Sequence, residues 1–166
     1  MHLEPSEADT LLTLAEIAVG LAGFSAIVVS FKRRDSGSWR RADADRFNGM
    51  VGHSLMAMAF CLLPVVAATF VSEARLVWAW TSGLLALQIA AHTTVIVFLA
   101  STGITGRVTT SLGGIAAVVL LAGNALGIGV DAAFGPYLFG VAWHLAHASV
   151  LFLMLVWVPA DAIEDA

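Results

Sequence analysis

Charge is what this chain has least of. Only 12% of its 166 residues are Asp, Glu, Lys or Arg, against 59% that are apolar. An ordinary soluble domain carries about twice that share of charge. A water-soluble globule of this length has too little interior to hide so much apolar side chain, so the excess is expected to face lipid. The shortage excludes a soluble enzyme, a disordered tail and a nucleic-acid-binding module. Cysteine is almost missing as well. Cys61 stands alone, which excludes a disulfide scaffold. No stretch alternates polar and apolar residues long enough to read as a β-barrel strand. Walker loops, HExxH and paired CxxC are absent too. Ser25 in Gly23-Phe24-Ser25-Ala26-Ile27 lacks the second glycine of a nucleophile elbow. Hydrolase and transferase chemistry therefore rank lowest.

What is present is a set of long apolar runs. A helix needs about 20 apolar residues to cross a hydrocarbon core of about 30 Å. Five stretches meet that test: 11–31, 47–71, 76–100, 108–130 and 136–158. They predict an all-α integral membrane protein, a single bundle of five transmembrane helices. The acidic residues Glu4, Glu7 and Asp9 precede the first span where a signal peptide has basic ones, so no cleavage is expected.

Basic residues orient the bundle. Lys32, Arg33, Arg34, Arg40, Arg41 and Arg46 lie between the first two spans, Arg107 between the third and fourth, and only Arg75 on the opposite side. The positive-inside rule then puts the 32–46 loop and the C-terminus in the cytoplasm and the N-terminus outside, in a cell inner membrane. Trp78, Trp80 and Tyr137 anchor the outer ends, and Trp39 and Trp157 the inner ends. The basic loop is expected to meet anionic headgroups, at about 1 kcal/mol per Lys or Arg.

Few ionisable residues fall at membrane depth: Glu16, His53, His92, His144 and His147. Burying charge there is costly, so such groups are expected to face the bundle interior or water. At helical spacing Thr13, Glu16, Gly20, Gly23 and Ser30 share a face of the first span, and Thr81, Gln88 and His92 one of the third. On the fourth, Gly113, Ala117, Asn124 and Asp131 align, and on the fifth Tyr137, Gly140, His144 and His147. Counting residues along the spans predicts a ladder. It runs from an outer cluster of Glu16, His144 and Asn124, through His147 and Gln88, to His92 and His53 near the cytoplasm. Pro64 removes a backbone bond and frees the carbonyl of Phe60, so a kink is expected there.

Three chemistries suit these residues. The leading one is a small channel or transporter for protons or cations, in an oligomer of identical chains, with Glu16 and the histidines as relay. A second is haem held between His53 and His92 at matching depth. A third is a transition metal on His144 and His147, spaced i, i+3, with Glu16 completing two histidines and a carboxylate. The plainest alternative is an accessory or structural subunit, its histidines making ordinary interhelical hydrogen bonds.

Overall fold

The computed structural model describes residues 3–36, 41–98, 104–129 and 132–157. They form five helices: α1 (Pro5–Ser36), α2 (Arg41–Ala67), α3 (Ala74–Phe98), α4 (Ile104–Leu126) and α5 (Phe134–Trp157). Four of them, α1, α2, α3 and α5, are long and apolar enough to cross a membrane. In α4 the described apolar portion is Thr110–Leu126. The helices overrun the predicted spans at several ends. Most of the expected 32–46 loop is helical, since α1 continues to Ser36 and α2 starts at Arg41. Trp39, Arg40, Asp131 and the acidic tail lie outside the described residues.

Local chemistry explains the helix ends. Pro5 opens α1 where a missing N–H costs nothing, and the Glu7 carboxylate accepts the backbone N–H of Glu4 at 3.1 Å, as in a capping box. At the other end of the chain's fourth helix, Gly127 takes a left-handed φ of 66°. There Ile128 N–H donates to Gly123 O at 2.9 Å, so the last carbonyls of α4 are satisfied by a Schellman turn.

Packing is closest between α1 and α2, α2 and α5, and α3 and α4, while α5 also touches α1, α3 and α4. The fifth helix is thus the hub. Sequential helices are neighbours except α2 and α3, which meet only lightly. One apolar core, holding Leu11, Cys61, Trp78, Leu85, Leu121 and Tyr137, fills the Ala67–Phe134 end of the bundle. A smaller one of Val29, Met50, Ala148 and Leu155 lies toward the Arg41–Trp157 end.

The first helix presents a different face from the one expected. Leu11, Ala15, Ala18, Ser25 and Val29 are buried, whereas Thr13, Glu16, Gly20, Gly23 and Ser30 are exposed. The physical reason is that α1 sits at the edge of the bundle, where Leu11, Ala15, Ala18, Ser25 and Val29, three, four or seven residues apart, make the packing seam. Its polar stripe is turned outward.

Candidate histidine cluster

Helix geometry brings four imidazoles together from three helices. His53 comes from α2, His92 from α3, and His144 and His147 from α5. His53 is the centre: ring centroids lie 4.6 Å from His92, 5.1 Å from His147 and 5.2 Å from His144. His144 is fully buried and His53 is 6% exposed, while His92 and His147 are half-buried.

Hydrogen bonds fix how the rings carry their protons. His144 Nε2–H donates to Gln88 Oε1 at 2.8 Å. A neutral His144 then carries a lone pair on Nδ1, so His53 Nδ1–H donates to it across 3.0 Å. That leaves the free lone pair of a neutral His53 on Nε2. His147 Nδ1–H donates to the Trp143 carbonyl at 3.1 Å, one turn back, and the Thr110 hydroxyl donates to His147 Nε2 at 3.4 Å. One chain of polar contacts therefore runs from α3 through α5 to α2, and a second ties α5 to α4.

Trp143 completes the cluster, and the sequence reading missed it. Its ring lies 4.2 Å from that of His147, 5.0 Å from His144 and 5.6 Å from His53. The signal was there: positions 143, 144 and 147 fall on one side of α5. Gly113 makes the room, since a Cβ there sits 3.0 Å from Trp143 Nε1. That indole N–H is buried without a hydrogen-bond partner. An electron-rich ring face beside imidazoles can stabilise positive charge on them.

Above the cluster, at the Ala67–Phe134 end, the interior is aromatic. The Tyr137 hydroxyl donates to the Phe60 carbonyl, the group Pro64 leaves without its helical partner. The Phe60 ring lies parallel to that of His144, with centroids 6.5 Å apart. Trp78 packs on Tyr137 at 5.5 Å and on Phe134 at 5.3 Å.

Two expected members of the ladder are elsewhere. Glu16 is exposed on the outward face of α1 and does not join His144 and His147. Asn124 is fully buried but closes the α4–α5 turn: its amide donates to Ala133 O at 2.9 Å and Ser82 Oγ at 2.8 Å, and its Oδ1 accepts Ala133 N–H at 2.9 Å. The predicted depths also place His53 and His144 too far apart: α2 begins at Arg41, before the expected span, so the two rings lie 12 and 13 residues (53 − 41 and 157 − 144) from the same end of the bundle. His53 and His92, weighed as axial haem ligands, meet edge to face. Rings in that contact leave no gap for an iron and its macrocycle. Among the described residues no group of three or more His, Cys, Asp or Glu is arranged to hold a metal ion.

Compared with known protein families, characterised proteins and solved structures, the chain matches none.

Proposed function

We propose that this chain is a five-span protein of a cell inner membrane that moves protons or cations, with the histidine cluster as its mid-membrane station. The fourth span is α4, whose 23 residues reach about 34 Å at 1.5 Å per residue. The N-terminus is outside and the C-terminus cytoplasmic, a reading supported by the basic residues gathered between α1 and α2. Anionic headgroups meet that basic segment.

The observation that carries the proposal is the Nδ1-to-Nδ1 hydrogen bond between His53 and His144, with His92 and His147 against the same ring. A packing role needs no titratable groups, and glycine or serine would satisfy it at lower cost in hydrocarbon. The proton bookkeeping is simple. A proton gained at His53 Nε2 makes that ring an imidazolium. Its Nδ1 proton can then pass to His144 Nδ1, leaving His53 neutral and the charge on His144. His92 and His147, half-buried, are the neighbours through which the cluster exchanges protons with the rest of the path. Gln88 holds His144 in the accepting tautomer, and Trp143 packs edge to face against its ring.

The working unit is an oligomer of identical chains joined through the outward face of α1. That assignment is supported by Glu16, an ionisable group on the lipid side of a span, and by Gly20 and Gly23, whose added Cβ atoms would meet nothing within 4 Å.

Reconstituted protein under an imposed pH gradient tests the function. Flux read with an internal pH dye is expected to fall at least about tenfold in His144→Ala, as for loss of a relay group. Flux indistinguishable from empty vesicles, or unchanged by the substitution, rejects the proposal.

A further inference from the structure

Tyr137 and Phe60 stand at matching positions above the paired histidines. On α2, Phe60 is seven residues from His53 (60 and 53); on α5, Tyr137 is seven residues from His144 (137 and 144). Seven residues are two turns, about 10 Å. At that level the Tyr137 hydroxyl on the Phe60 carbonyl links the two helices through a polar side chain. The carbonyl needs it. Pro64 has no N–H to return, and an unpaired backbone group in hydrocarbon costs several kcal/mol. The Phe60 ring lies parallel to that of His144, and Leu11, Trp78, Leu85 and Val141 pack at that end in one apolar core. Toward the other end the second core is smaller, and His92 and His147 reach the chain's surface.

We infer that Tyr137 and Phe60 form a gate that seals the histidine cluster from the Ala67–Phe134 side, with the carbonyl that Pro64 frees as its latch. Closed, the Tyr137 hydroxyl satisfies the orphan carbonyl. Open, the Tyr137 ring swings off the Phe60 carbonyl, and water entering the gap takes the hydroxyl's place there. The exchange of one donor to that carbonyl for another makes the step reversible, and apolar constrictions of this kind gate by wetting and dewetting. The inference rests on the proposed function only for what passes through; the gate itself is a statement about access.

Cys61, the chain's one cysteine, is a built-in reporter. It neighbours Phe60 and is fully buried in the same core. The experiment adds a small, charged, membrane-impermeant methanethiosulfonate to full-length protein in sealed vesicles, from one side at a time. Wild type is expected to react slowly. Tyr137→Phe, which keeps the ring and removes the hydroxyl, is expected to react at least about tenfold faster, and only from the Ala67–Phe134 side. Phe60→Ala, which removes the ring over His144, is expected to do the same. Unchanged reactivity in both Tyr137→Phe and Phe60→Ala overturns the gate. Equal acceleration from both sides also overturns it, since that reports a loosened fold. One-sided acceleration in a protein that carries no flux leaves the gate standing and removes the transport reading instead.

Discussion

At the scale of single residues, the same residue type does different work according to what it can reach. Of the polar residues read from the sequence, His144 acts in the cluster because its Nε2–H donates to Gln88 Oε1, which leaves Nδ1 to accept from His53. Asn124, on the same kind of helical stripe, is occupied by the backbone of Ala133 at both its donor and acceptor ends. Its role is to hold the α4–α5 turn. Asn124→Ala is therefore expected to lower the melting temperature, by an amount corresponding to roughly 2–3 kcal/mol, because Ala133 N–H and O are left without partners. Proton flux per folded molecule is expected to stay at the wild-type level. Thermal unfolding in detergent beside the vesicle assay separates the two. Tyr137 shows the limits of reading residues singly: it fits an interfacial anchor, and the carbonyl freed by Pro64 is also legible, but only the fold pairs them.

Among the helices, the five elements follow directly from apolar length, because a helix is the simplest way to satisfy a backbone in hydrocarbon. Which face of each helix turns inward does not follow so directly. In water a polar stripe marks the outside; in lipid the rule reverses only where the helix has neighbours on that side. The outward stripe of α1 reflects its place at the edge, where Ala15 and Ala18 pack inward and Glu16 is left outside. Glycines record the distinction. A Cβ at Gly114 of α4 would collide with Thr93 Oγ1 of α3, inside the most closely packed pair of helices. Gly114→Ala is expected to destabilise by about 1–3 kcal/mol, in line with overpacking, on thermal unfolding. A Cβ at Gly23 of α1 would meet nothing within 4 Å, and Gly23→Ile is expected to leave unfolding almost unchanged. It is expected to shift the detergent-solubilised protein from oligomer to monomer in light scattering. A monomeric wild type, or an oligomer that survives the substitution, contradicts the α1 interface.

For the molecule as a whole, the arrangement is a bundle with unlike ends around a polar centre. One end is closed by Phe60, Tyr137 and Trp78, and the middle holds four imidazoles contributed by α2, α3 and α5. The histidines were legible as a group, since five titratable residues within the apolar runs of the sequence invite the question. Their convergence on His53 was not. Depth counting places residues along an axis, whereas contact depends on tilt, side-chain reach and which helix is the hub. The hub is α5, which supplies two of the four rings and Trp143. The central claim is that His53 and His144 act as one proton-handling pair, and a double-mutant cycle on flux tests it most directly. Proton flux would be measured in vesicles for wild type, His53→Ala, His144→Ala and the double variant. If the two rings form one relay step, each single substitution removes that step and the double variant is no slower than either single one. Independent, multiplying losses, or a flux that neither substitution alters, would contradict it.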